Sequence, residues 1–240
     1  MHPLAAIAAL DDRCLIWLNS LVGRWPLFDE IVSYLLGTDE LKFGVLVAIF
    51  YWLWFRYDPP DQRKRAILAT TALGGLVAVL VTRVLVVLLP FRDRPIARPE
   101  LHLHIPAGFD ASLRTWSAFP SDHAVLAFAL ATGFWMVSRP TGIFAYLHSA
   151  LIICMPRMYY GLHHPSDLLG GALLGILFVR LLTLEVVSRP VMVRVLYLEQ
   201  RHRGVFYLFF FLLLQQMVVL FNNVRAVIAL LMKLLRSAVG

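Results

Sequence analysis

Three polar stretches interrupt an otherwise apolar chain, and all three carry residues suited to one chemistry. They read PFRDRP at 90–95, FPSDH at 119–123 and PRMYYGLHHPSD at 156–167. Cleavage of a phosphoester or phosphoanhydride places charge on three equatorial oxygens while a nucleophile attacks opposite the leaving oxygen. Fixed cations must meet that charge. Arg92, Arg94 and Arg157 offer planar donor forks that match phosphate oxygens. Arg92 and Arg94 lie two apart in an extended loop and are expected to point the same way. Ser121 stands where it can cap a helix, and free amides at a helix start bind anions, which puts His123 in the first turn beside a bound phosphate.

Hydrolysis also needs a nucleophile and an acid. A neutral imidazole can attack phosphorus while a protonated one gives its proton to the leaving oxygen, and His123 and His163 can divide those roles. Asp167 follows His163 by four residues, a spacing that lets a carboxylate accept from one ring nitrogen and leave the other free. Arginines supply the positive charge, so the chemistry calls for no metal ion and no cofactor. His102 and His104 alternate without a third ligand at metal spacing and are expected in a solvated loop.

The elements that must position these groups are membrane helices. Of 240 residues, 60% are hydrophobic and only 15% charged, against about a quarter charged in a soluble domain. The net charge of +7 does not point to nucleic acid, because the basic residues sit between apolar runs, where they set orientation and meet lipid headgroups. Cys14 and Cys154 form no metal or redox spacing. Apolar runs predict crossings near 41–57, 66–90, 123–138, 142–156, 167–187 and 204–221. The expected fold is all-α, a single polytopic membrane helical bundle of six spans over 1–240, with a motif-bearing core at about 60–190. Short runs such as the first need tilt, local thinning or flanking residues such as Lys42 to make up the length.

Residues 1–40 and 222–240 are expected to form interfacial helices; Arg225 and Arg236 share one face of the second, with Lys233 nearby. No signal-peptide cleavage is expected, since the first apolar stretch lacks a basic start. Tyr159, Tyr160 and Trp116 fit an interfacial aromatic belt, and His148 a packed, hydrogen-bonded position. Basic residues at 56–65, at 139 and at 189–203 place those loops in the cytoplasm, so the three motif stretches emerge together on the opposite side.

These stretches resemble the three signature motifs of the type 2 phosphatidic acid phosphatase family, K-x6-R-P, P-S-G-H and S-R-x5-H-x3-D. The third motif matches Arg157, His163 and Asp167, with Pro156 in place of serine. The second matches Pro120, Ser121 and His123, with Asp122 in place of glycine. The first matches Arg94-Pro95 only, because its lysine position falls on Val87. The resemblance implies that His163 is the nucleophile and forms a phosphohistidine, Asp167 orients it, His123 is the general acid, and Arg94 and Arg157 clamp phosphate. In place of the lysine, Arg92 is expected on the phosphate and Arg83, one turn deeper than Val87, as a supporting cation. Asp122 is expected to favour the helix start or bind an arginine.

The tetrapeptide PSDH resembles the bacterial undecaprenyl pyrophosphate phosphatases of that family. The resemblance thus implies a metal-independent lipid phosphatase of the bacterial inner membrane, active at its outer face, with a lipid phosphate or pyrophosphate as substrate and membrane lipids as its surroundings. The other readings are a phosphatidic acid or phosphatidylglycerol phosphate phosphatase, a lipid phosphotransferase, and a non-catalytic lipid-phosphate carrier.

Overall fold

The computed structural model describes residues 3–56, 61–105 and 117–220. Among these every regular element is helical, as the apolar runs demand: a backbone in hydrocarbon must satisfy its polar groups internally. The chain runs through α1 (Pro3–Asn19), α2 (Pro26–Gly37), a π turn (Glu40–Gly44), α3 (Val45–Arg56) and α4 (Gln62–Leu88). Two 3-10 turns, Pro95–Ala97 and Pro99–Leu101, lead on to α5 (Asp122–Val137) and α6 (Arg139–His148). A second π turn (Ser149–Cys154), α7 (Met155–Tyr159), α8 (Pro165–Leu182), α9 (Glu185–Arg201) and α10 (Arg203–Val218) complete it.

Helices fall on all six expected runs. Among the described residues, two are long and apolar enough to cross a membrane, α4 with 27 residues and α8 with 18. The others are shorter or interrupted: α5 and α10 have 16 residues each, or about 24 Å at 1.5 Å per residue.

The central element is α5, which buries Ala124 through Ala127, Ala129 through Phe134 and Val137. It packs against α4, α6 and α8. Its approach to α8 is set by two glycines one turn apart. A methyl group on Gly171 would lie 2.5 Å from the Ser121 carbonyl oxygen, and one on Gly175 would lie 2.2 Å from that of Val125. Both distances are far inside van der Waals contact. Small residues spaced by four let helix backbones touch in a membrane, and here the touching pair carries the second and third motif stretches.

Several expectations are corrected. Segment 189–203, read as a loop, forms most of α9, which starts directly after α8 ends at Leu182 and holds Pro190 in its second turn. Arg65 of α4 donates to both Glu199 oxygens at 2.8 Å, and the Tyr207 hydroxyl donates to Glu199 Oε1 at 2.5 Å. A buried ion pair of this kind fixes α9 and α10 on the end of α4.

Lys42 does not reach to the interface. It is 4% exposed, with its ammonium on Asp39 Oδ1 at 2.8 Å and the Leu36 carbonyl at 2.7 Å. Tyr159 and Tyr160 are buried rather than belted: Tyr159 donates to the Asp29 carboxylate and Tyr160 to the Asp29 carbonyl. His148 is packed as expected, bonded to the Lys42 carbonyl at 2.9 Å. In the N-terminal segment, α1 buries Asp11, Leu15 and Asn19. Asn19 donates to the carbonyls of Tyr159 and His104 and accepts from the His104 amide, which ties the backbone there to α1, while His102 and His104 are exposed, as expected of a solvated loop. The 222–240 helix and Trp116 lie outside the described residues.

Candidate active site

Three backbone bonds bring the motif stretches together. The Ser121 amide donates to the Asp167 carbonyl at 3.2 Å, the Ala118 amide to the Arg92 carbonyl at 2.9 Å, and the Ile96 amide to the Gly161 carbonyl at 2.8 Å. Gly161 sits at φ +68°, a conformation open to glycine at little cost. There the chain turns out of α7 so that the Arg157 carbonyl accepts from the amides of Leu162 and His163.

His163 is 3% exposed. Its Nδ1 donates to the Ala118 carbonyl at 2.9 Å. A carbonyl can only accept, so the proton resides on Nδ1 and the lone pair on Nε2. Nε2 faces Arg94 Nη1 and Ser121 Oγ, each at 3.4 Å. The orienting group is therefore the Ala118 carbonyl. Asp167 stands behind it, with Oδ2 3.7 Å from Nδ1, beyond hydrogen-bond length. Burial is the largest influence on the imidazole and holds its pKa below the usual histidine range; Asp167 opposes this, while Arg94 and Arg157 reinforce it. The ring is thus neutral at pH 7, the state that a nucleophilic nitrogen needs.

Asp167 is completely buried and closes the start of α8. Its Oδ2 accepts from the His164 amide at 2.8 Å, and its Oδ1 from Arg92 Nη1 at 2.6 Å. Arg92 differs from expectation. Its other donors reach Ser166 Oγ at 2.8 Å and Asp11 Oδ2 at 2.7 Å, so it joins α1 to α8 instead of pointing with Arg94. Arg94 turns the other way, to His163 and the Leu162 carbonyl at 3.2 Å. Burial lowers the Arg94 pKa, yet an arginine remains charged at any physiological pH. Arg157 is 4% exposed and spans back to the Ile153 carbonyl at 2.8 Å.

Ser121 occupies the N-cap position of α5, but its hydroxyl is turned to His163 and does not cap the helix. The first amides of α5 have no partner within the helix by geometry and remain donors for an anion. His123 is the second residue of that turn, with its ring 5.8 Å from that of Phe43 and Nδ1 2.9 Å from Asp122 Oδ1. Arg83 is not at the anion position; its Nη2 donates to Asp122 Oδ2 at 3.3 Å and to the Leu220 carbonyl at 3.1 Å. Asp122 binds an arginine, as expected. Val87, at the lysine position of the first motif, is 81% exposed and faces away from the protein.

His164 has its Nδ1 3.2 Å from Asp167 Oδ2 and its Nε2 3.4 Å from Arg98 and 3.8 Å from Asp12. An apolar cavity of about 540 Å³ lies between α3, α4, α9 and α10 and is lined by none of these residues. Sequence reasoning missed Asp11, Asp12 and Ala118, which act over separations of dozens of residues.

A neutral imidazole with a free nitrogen beside an arginine, at the head of an amide-bearing helix turn in an all-α bundle, defines a helical membrane phosphatase, a hydrolase of phosphate esters or anhydrides. The profile of the PAP2 superfamily matches residues 89–189, which span Arg92, Arg94, Ser121, His123, Arg157, His163 and Asp167 but not Asp11, Asp12 or Arg83. The chain belongs to that family. It is 31% identical over 146 residues to a putative undecaprenyl-diphosphatase, YbjG, of Escherichia coli (strain K12), covering 61% of this chain and 68% of that one. It is 30% identical over 140 residues to the undecaprenyl-diphosphatase BcrC of Bacillus subtilis (strain 168), covering 56% and 65%. It is 25% identical over 161 residues to the bacitracin transport permease protein BcrC of Bacillus licheniformis, covering 67% and 73%. In fold it is similar to the crystal structure of a transmembrane PAP2 type phosphatidylglycerolphosphate phosphatase from Bacillus subtilis, with a TM-score of 0.50 and 20% identity over 73% of this chain and 84% of that one.

Proposed function

We propose that the protein removes the terminal phosphate of undecaprenyl diphosphate to leave undecaprenyl phosphate, through a phosphohistidine at His163. The observation that carries this reading is the His163 imidazole, with its Nδ1 proton given to the Ala118 carbonyl and its Nε2 left open beside Arg94. The relatives named as undecaprenyl-diphosphatases support the substrate.

In the first step the Nε2 lone pair forms a bond to the terminal phosphorus. The bridging P–O bond breaks, and the lipid monophosphate leaves with a proton from His123. Arg94, Arg157, the Ser121 hydroxyl and the amides of the first α5 turn meet the charge on the equatorial oxygens. In the second step water attacks the phosphohistidine, His123 takes back a proton, inorganic phosphate departs and His163 is restored. Asp167 and Arg92 hold the loop that carries His163, and Arg83 holds Asp122.

The chain would cross the bacterial inner membrane six times, α5 to α7 included. The basic residues at 56–65, 139 and 189–203 would lie in the cytoplasm and the histidines at the outer face. Phosphate release is the test. Purified protein in detergent is given undecaprenyl diphosphate, phosphatidic acid and phosphatidylglycerol phosphate at equal surface concentration. The expected result is the highest kcat/KM on the diphosphate; release from none of the three contradicts the reading, and preference for either glycerolipid moves it to that substrate.

A further inference from the structure

Asp122 stands where the family motif has glycine, and the structure gives that carboxylate two partners at once. Its Oδ1 accepts from His123 Nδ1 at 2.9 Å, and its Oδ2 accepts from Arg83 Nη2 at 3.3 Å. The same Arg83 nitrogen donates to the Leu220 carbonyl at 3.1 Å, which ties the arginine to the end of α10. Arg83 thus holds one carboxylate oxygen while the other accepts from Nδ1 of His123.

We infer that Arg83 and Asp122 form a positioning relay for His123, fixing its ring so that Nε2 is the nitrogen presented to the leaving oxygen. This rests on the proposed reaction and assigns its acid a partner that the P-S-G-H pattern lacks. A glycine at this position has no side chain to accept from the imidazole.

The reaction gives such a partner a role here. His123 must carry two protons when the lipid monophosphate leaves, one to give and one to keep, and an imidazolium is stabilised by a carboxylate on the retained proton. Burial acts most strongly the other way, and the charges of Arg157 from α7 and Lys42 from the π turn before α3 add to it. A carboxylate bound at Nδ1 opposes them, as it does where it orients a metal-bound or catalytic histidine. Arg83 keeps that carboxylate turned to the histidine and away from the phosphate, which it would otherwise repel. The arrangement also accounts for an arginine 23% exposed within an apolar helix, a costly placement without a partner in the protein.

The test is a double-mutant cycle on steady-state turnover of undecaprenyl diphosphate in detergent, with wild type, Asp122→Asn, His123→Ala and the double variant. Asp122→Asn is expected to lower kcat about 10- to 100-fold at unchanged KM, within the range general acid catalysis provides, and to add no loss in the His123→Ala background. Asp122→Gly, the residue of the family pattern, should show the same loss, and Asp122→Glu should recover part of it. Asp122→Asn within twofold of wild type overturns the inference. So does an equal loss in the His123→Ala background, or a rise in KM at unchanged kcat. A wild type that releases phosphate from no lipid overturns the underlying reaction and the relay with it, whereas an active wild type with an indifferent Asp122→Asn overturns the relay alone.

Discussion

Replacing His163 with alanine is expected to lower turnover by roughly 10⁴-fold or more while lipid binding stays within a few fold. The magnitude follows from losing a nucleophile that forms a covalent intermediate, where single knockouts of the reacting unit cost as much as removing the whole of it. Binding survives because the anion-holding groups are elsewhere: Arg94, Arg157 and the first amides of α5. His163→Ala removes a ring anchored on a carbonyl and leaves the loop held by Gly161, Asp167 and Arg92. Phosphate release and equilibrium binding of a lipid diphosphate, measured side by side, check it. A lipid carrier would keep its transport in this variant, so the same protein separates that reading from catalysis.

The second large effect is expected far from any reacting group. Gly175→Leu places a side chain where even a methyl would lie 2.2 Å from the Val125 carbonyl, so α5 and α8 must separate. Overpacking costs about 1–3 kcal/mol and more when backbone has to move, and a shift of about 1 Å between reacting groups can cost about 10²-fold in rate. Both helices carry the site, Ser121 and His123 at the head of α5 and Asp167 in the first turn of α8. The expected outcome is a lower melting temperature together with at least a hundredfold loss of turnover. Gly204→Leu, where nothing lies within 4 Å, serves as the control and should change neither.

The candidate site was legible in the sequence because its residues lie close together along the chain. His163 and Asp167 are four residues apart and approach to 3.7 Å, and Ser121 and His123 share a helix start, so spacing brings each pair near. Arg94 and Arg157 were legible for a similar reason, as cations in polar breaks of an apolar chain. What the sequence concealed is non-local or belongs to the backbone. The Ala118 carbonyl that fixes the His163 tautomer has no side-chain signature. Arg92 turned from phosphate to carboxylate because Asp11, 81 residues earlier, is folded beside it, and no local pattern announces that contact.

Other misses had a readable signal. Gly171 and Gly175 form a small-xxx-small pair within an apolar run, a known mark of close helix packing. The helix over Glu185–Arg201 was hidden by its charge and by Pro190, which read as loop features although tertiary packing through Arg65 and Glu199 overrides them. Tyr159 and Tyr160 fit an interfacial belt by type and position, but Asp29 and Ser33 of α2 offer their hydroxyls partners inside the protein.

The most direct measurement of the central claim is to quench the enzyme during turnover of a diphosphate labelled in its terminal phosphate, under alkaline conditions that preserve phosphoramidates, and to map the label by mass spectrometry. The account predicts phosphate on His163 and none in the His163→Ala variant. Label on another residue, or steady turnover in which no phosphoenzyme forms, would contradict it.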